Sequence, residues 1–259
     1  MNKILISKAF IVNEGKVHVK DVLIKGKRIE KIENHISESN VKETISAEGL
    51  FLLPGMIDDQ VHFREPGLTH KATINSESIA AIAGGVTSYI EMPNTIPQTT
   101  TVKEFDKKRL IASRNSAANY SFMFGVTNDN YSEILKLNKS NVPGLKMFLG
   151  SSTGQMLVDD YETINKIFTN IDLVISAHCE DEEIINKNLE IAKKKYGSNI
   201  PAFEHPNIRS EKACYKSSSN IIKLAKKSGA RLHVFHISTE KEISLFDNKV
   251  SLDKKKITS

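Results

Sequence analysis

Apolar positions in this chain follow two rhythms, and the change between them comes at Pro54. Before it they suit strands. Residues 4–12 form an apolar-rich run, Asn13-Glu14-Gly15-Lys16 supplies turn residues, 17–24 alternates apolar and polar, Gly26-Lys27-Arg28 turns again, and 29–32 resumes the alternation. Short alternating runs bounded by turn residues read as hairpins. Residues 1–53 are therefore expected to form a small β side domain, closed by Phe51-Leu52-Leu53.

After Pro54, compact apolar runs alternate with longer segments of helical spacing. Strands are expected at 56–61, 86–92, 120–126, 145–149, 173–177 and 232–237. Helices are expected at 101–118, 160–170, 181–195 and 210–228, the last stopped by Gly229. Alternating β and α units predict a parallel sheet with covering helices. Six units in succession favour an α/β fold of the (β/α)8 TIM type over an open sheet. A complete barrel takes ~250 residues, whereas about 200 follow Pro54. The barrel of residues 54–259 is thus expected to be incomplete. The chain reads as a fragment that ends about where a seventh strand begins.

Composition removes several function classes. The 259 residues are 39% apolar and 26% charged, as in ordinary soluble proteins. The net charge of +5 is spread over many lysines without a basic stripe, so no nucleic-acid partner is expected. No apolar run reaches the ~18 residues of a membrane span, and the first residues lack a secretory signal pattern. The two cysteines, Cys179 and Cys214, form no C-x-x-C pair and imply no disulfide framework. A cytoplasmic location is expected, and Cys179 is read as a buried apolar thiol.

Polar residues recur at the carboxyl ends of the expected strands, where barrel enzymes build their sites. His62 ends the first strand, with Gln60 two residues earlier on the same face and Arg64 following in the loop. Asn94 follows the second strand, His178 ends the fifth and His236 the sixth. A single strand-end histidine often does no more than hydrogen-bond. Three together suggest a divalent metal, with imidazole suiting Zn, Fe, Ni or Cu. His233 has the opposite parity to His236 and is expected to face the helices as a structural residue; His70 and His205 have no assigned role. Lys146 interrupts the apolar run 145–149. A lysine there must lose its charge, find a partner or be modified. A neutral amine reacts with carbon dioxide, and the resulting carbamate has two oxygens able to bridge two metals. Arg64 is suited to grip a carboxylate with its planar fork. Gly150-Ser151-Ser152-Thr153-Gly154 reads either as a flexible loop over the site or as a phosphate-cradling loop, and it lacks the Gly-Lys-[Ser/Thr] ending of a P-loop.

The run Pro54-Gly55-Met56-Ile57-Asp58-Asp59-Gln60-Val61-His62-Phe63-Arg64-Glu65-Pro66-Gly67 resembles the signature of dihydroorotases, in the amidohydrolase superfamily. The resemblance continues in Glu91-Met92-Pro93-Asn94-Thr95, Leu145-Lys146-Met147-Phe148-Leu149-Gly150-Ser151-Ser152-Thr153-Gly154, Ala177-His178-Cys179-Glu180-Asp181, His205-Pro206-Asn207-Ile208-Arg209-Ser210 and His233-Val234-Phe235-His236-Ile237-Ser238. It implies a (β/α)8 barrel with one or two zinc ions. His62 would bind one, Lys146 as its carbamate would bridge both, and His178 and His236 would bind the other. Gln60 stands where most relatives carry a further histidine and is the weaker ligand. Arg64 and Asn94 would hold the substrate carboxylate. Metal-activated water would open the ring amide of dihydroorotate to N-carbamoyl-aspartate, the reverse of a ring closure in pyrimidine synthesis. The resemblance also implies a metal-binding, proton-shuttling Asp after an eighth strand, which this sequence does not reach, and a homodimer for the full-length protein. Two other functions fit the same blocks: a hydantoinase or allantoinase, and a non-catalytic partner subunit, which Gln60 and the missing Asp would suit.

Overall fold

The structure, a computed structural model, describes residues 2–37, 39–150 and 155–259. The chain divides into two compact units, Met1–Met56 and Ile57–Ser259.

The first unit is a five-stranded sheet. β1 (Lys3–Asn13) pairs antiparallel with β2 (Lys16–Lys25), and β2 with β3 (Arg28–Glu33). β4 (Glu43–Ser46) and β5 (Phe51–Leu52) both run parallel to β1. The β1–β2 register slips between Ile6 and Ala9, where Lys8 takes a left-handed φ of 56°. Buried Asp21 accepts the backbone N–H groups of Lys8 and Ile36, each at 2.8 Å. Around it Leu5, Leu23 and Ile36 form a small core.

The second unit is an arc of βα units. β6 (Met56–Val61), β7 (Val86–Glu91) and β8 (Asn119–Phe122) are neighbours in one sheet. β9 (Phe124–Gly125), β10 (Gly144–Phe148), β11 (Val174–His178), β12 (Leu232–Val234) and β13 (Ile257–Thr258) follow in a second, all parallel. The strand expected over 120–126 is thus split at Met123. β8 pairs with β7 and β9 with β10, while the Met123 N–H donates to Glu91 O at 3.0 Å. One bent strand serves both sheets. The arc also gains a strand: Ile257 and Thr258 pair with Leu232 and His233.

The helices are α1 (Ile74–Ala83), α2 (Val102–Asn115), α3 (Tyr131–Ile134), α4 (Tyr161–Asn170), α5 (Glu182–Tyr196), α6 (His205–Ile208), α7 (Glu211–Ser228) and α8 (Glu240–Ile243). Side-chain oxygens of Thr101, Asp160 and Asp181 cap the N-termini of α2, α4 and α5. Gly229 closes α7 in the left-handed conformation that glycine adopts without strain. α1 is a helix that hydrophobic spacing does not reveal, because Ile79 and Ile82 are exposed while Ile74 and Ser78 are buried. No helix among the described residues is long and apolar enough to cross a membrane.

Strand alternation sorts the side chains into two layers. Leu145, Met147, Ile175, Ala177, Leu232 and Val234 join the core that contains Phe105, Ile167, Phe168, Ile221 and Ala225 of the helices. The opposite face of the same strands carries Lys146, Ser176, His178, His233 and Phe235, and Phe235 packs with Met92 and Met123. The inner layer is where chemistry can collect.

Candidate active site

His62 directly follows β6. Its Nδ1–H donates to Asn94 Oδ1 at 2.9 Å, which leaves Nε2 with a free lone pair. Burial, and next the charge of Arg64, hold its pKa down at about 4, so the ring is neutral near pH 7. Arg64, two residues on, has a left-handed backbone, φ 69°. Non-glycine residues occupy that region at a cost and persist there only when their surroundings enforce it. Here the Arg64 N–H donates to Glu91 Oε1 at 3.1 Å. Glu91 forms an ion pair with Lys108, both about 1% exposed. Lys108 also donates to Met92 O at 2.9 Å. Burial pushes Glu91 up and Lys108 down, and each is opposed by attraction to the other. Further along the loop, Gly67 has φ 82°, and a Cβ there would collide with the Ile96 carbonyl. Among the described residues no side chain pairs with the Arg64 guanidinium, which leaves it available to an anion. Gln60 is half-buried, and its N–H donates to Asp58 Oδ1 at 3.0 Å.

Lys146 lies on β10, fully buried. Among the described residues its Nζ has no hydrogen-bond partner, and it sits 4.3 Å from the Phe235 ring centroid and 4.7 Å from that of Phe148. Burial lowers its pKa to about 7. Its charge contributes to the depressed pKa of both His62 and His236, which places the amine in electrostatic reach of both sides of the site.

His178 and His236 meet. His178 Nδ1 is 3.1 Å from His236 Nε2, and the rings stand edge to face with centroids 4.9 Å apart. Two nitrogens each roughly 2.1 Å from one tetrahedral ion would be ~3.4 Å apart, so this spacing suits two ligands of one metal. His236 lies beyond the end of β12 with φ 40°, its carbonyl accepting from Ser238 Oγ at 2.8 Å. Burial, and then the neighbouring His178, lower its pKa, favouring the neutral form that ligates metal. On its other side, His178 Nε2 is 2.6 Å from Glu180 Oε2, and Glu180 is paired with Arg209. A cavity of about 530 Å³ opens on this cluster, lined by His178, Glu180, Arg209 and His236. Among the described residues no group of three or more His, Cys, Asp and Glu side chains is placed to hold a metal. The two imidazoles therefore need a donor of another kind, and the partnerless Lys146 is the buried polar group at hand.

The expected orientation of His233 is wrong. It does not face the helices. Its Nδ1 is 2.9 Å from Thr258 Oγ1 on β13 and its Nε2 is 3.7 Å from Asp59 Oδ2 on β6, a strand that is not a neighbour of β12. A side chain that reaches so far around the arc crosses its interior. Parity misleads because regular strand geometry stops at Val234, and the left-handed residue His236 then turns its side chain back to the same side. Cys179 is buried, and burial pushes its thiol up to about 12, so no thiolate forms near neutral pH. Of the loop 150–154, residues 151–154 lie outside the described residues. Hydrophobic spacing singles out none of Glu91, Lys108, Glu180 and Arg209. The available signal is that Glu91, Glu180 and Arg209 lie in the quoted motif blocks.

Residues 49–242 match the family described as dihydro-orotase-like. A dihydroorotase from Carboxydothermus hydrogenoformans is 33% identical over 241 residues, which are 91% of this chain and 53% of that protein. An allantoinase from Solibacter usitatus is 31% identical over 252 residues, 94% of this chain and 54% of that protein. Among solved structures, the L-hydantoinase (dihydropyrimidinase) from Arthrobacter aurescens superposes with a TM-score of 0.85 at 27% identity, covering 95% of this chain and 55% of its own. The chain spans about half the length of these relatives. With most of the second unit inside the matched region and a fold that superposes on this solved L-hydantoinase, the chain belongs to the dihydro-orotase-like family.

Proposed function

We propose that this chain carries the metal- and substrate-binding half of a zinc-dependent cyclic-amide hydrolase whose substrate is dihydroorotate. The observation that carries the reading is Lys146: a fully buried amine without a hydrogen-bond partner among the described residues, in electrostatic reach of His62 and of His236, which in turn meets His178. With its pKa lowered to about 7, the amine is largely neutral in mildly alkaline solution. Its nitrogen lone pair can attack the carbon of CO2. A C–N bond forms, one C=O electron pair moves to oxygen, and an N–H proton leaves to solvent. The product is an anionic carbamate that supplies oxygen donors beside His178, His236 and His62. Gln60 would add at most a carbonyl oxygen. Zinc, when bound, would lower the pKa of water to about 7 and polarise the ring amide.

The remaining roles belong to the chain itself. Arg64 would grip the substrate carboxylate with two parallel N–H donors. Asn94 has its Oδ1 committed to His62, which leaves its Nδ2 to donate to the same carboxylate. Glu91 and Lys108 would hold the Arg64 backbone in place. A hydantoinase or allantoinase activity is the second reading, favoured by the superposition on L-hydantoinase and the identity to an allantoinase. Neither of those substrates carries a ring carboxylate, so Arg64 separates the readings. Titration calorimetry of the zinc-loaded chain should show dihydroorotate binding, weakened about tenfold or more by Arg64→Met, the loss of a charge-assisted hydrogen-bond pair. Hydantoin binding should be indifferent to the substitution. Binding of hydantoin without dihydroorotate would favour the second reading. NMR with ¹³C-bicarbonate should show one carbamate carbon that disappears in Lys146→Met.

A further inference from the structure

The block His205-Pro206-Asn207-Ile208-Arg209-Ser210 has no role in the proposed chemistry, yet the structure carries its Arg209 to the lining of the site. α6 ends on Arg209, whose N–H donates to His205 O at 2.9 Å. Asn188 Nδ2 donates to the Asn207 and Ile208 carbonyls at 3.1 Å each, which ties this segment to α5. From there Arg209 Nε donates to Glu180 Oε1 at 2.7 Å and its Nη2 meets Oε2. Glu180 is 5% exposed, and its Oε2 also lies 2.6 Å from His178 Nε2. The backbone gives little slack, since a Cβ on Gly150 would collide with the Glu180 carbonyl.

We infer that Glu180 and Arg209 are positioning residues that fix His178 as its Nε2–H tautomer and aim the bare Nδ1 at the space it shares with His236 Nε2. A carboxylate only accepts hydrogen bonds, so a 2.6 Å contact places a proton on His178 Nε2. A neutral imidazole has one N–H, so Nδ1 then carries the lone pair. The forked guanidinium holds both carboxylate oxygens and sets the plane of the carboxylate, and with it the tilt of the ring. Carboxylates behind metal-binding histidines typically account for 10- to 100-fold in metal affinity. The inference rests on the reading of His178 as a ligand, but its first consequence does not require metal.

The test starts with ¹⁵N NMR of the metal-free chain in mildly alkaline buffer. Wild type should show His178 protonated at Nε2 and bare at Nδ1. In Glu180→Gln, Arg209 keeps the amide oxygen and the NH2 turns to His178 Nε2, so the tautomer should switch to Nδ1–H. Arg209→Lys should retain the wild-type tautomer. Chelator competition should then show zinc bound about 10- to 100-fold more weakly by Glu180→Gln, and less so by Arg209→Lys, with thermal unfolding confirming that both variants are folded. A bare Nε2 in wild type would overturn the inference, as would a folded Glu180→Gln with unchanged tautomer and zinc affinity. Wild type with the stated tautomer but no zinc binding would refute the ligand reading while upholding the positioning of the ring.

Discussion

Lys108 and Lys146 are buried equally, at 1% and 0% exposed, in opposite surroundings. Lys108 reaches from α2 under the second strand to Glu91 and to the Met92 carbonyl. Its ammonium is matched by a carboxylate, and the pair holds the Arg64 N–H. Lys146 stands on the inner face of its strand beside Phe148 and Phe235, with no acceptor for its Nζ among the described residues. Burial lowers the pKa of both. At Lys108 a buried carboxylate pushes back, whereas at Lys146 the opposing group is the buried Cys179 thiol. Burial alone therefore does not make a lysine reactive; burial without a partner does. One lysine is suited to hold a loop and the other to take up a chemical group.

The largest test of that contrast is stability. Lys108→Met leaves the Glu91 carboxylate buried and unpaired, and breaking a buried pair from one side costs about 3–5 kcal/mol. Urea unfolding should show that loss. The double variant Glu91→Gln/Lys108→Met should recover most of it, because the new side-chain amide would still accept the Arg64 N–H without carrying a charge. Lys146→Met should be stabilising rather than destabilising near neutral pH, since it removes an amine that has no hydrogen-bond partner among the described residues. Equal losses in the two single variants would end the contrast.

A pH series tests the same point. The Lys146 pKa falls from 10.5 to about 7 on folding. Between those values the unfolded chain binds more protons than the folded one, so stability rises with pH through that window. The full cost of burying the amine is present below pH 7 and is relieved as pH climbs toward 10.5. In carbon-dioxide-free buffer the stability advantage of Lys146→Met over wild type should shrink steadily across that range. A pH-independent difference would mean that the amine has an anionic partner.

How much of this was legible in the sequence depends on distance along the chain. Lys146 was, because one charge inside an apolar strand is visible within five residues. The strand-end histidines were, because parallel strands present their carboxyl ends on one rim. The Glu91–Lys108 and Glu180–Arg209 pairs were not. Their members belong to different elements, 17 and 29 residues apart, and a charged residue on α2 reads as solvated surface until the helix docks. The orientation of His233 failed for a local reason, the end of regular strand geometry at Val234. The split at Met123 failed for a global one, since a strand bends there to pair in two sheets.

The smallest effect reads the two lysines from a third residue. His62 is held at about 4 by burial first and by Arg64 second, with Lys146 a weaker source of positive charge and Lys108 weaker still. Removing a nearby cation raises a histidine pKa, because the imidazolium is then less opposed. The His62 ring carbon, followed by ¹³C NMR through the acid range, should titrate near pH 4 in wild type. Its midpoint should move upward in Lys146→Met and less in Lys108→Met, whose ammonium is already offset by the Glu91 carboxylate at His62. A larger shift from Lys108→Met would mean that the Glu91 pair does not neutralise Lys108 as seen from the site, and that Lys146 is not the more exposed charge of the two.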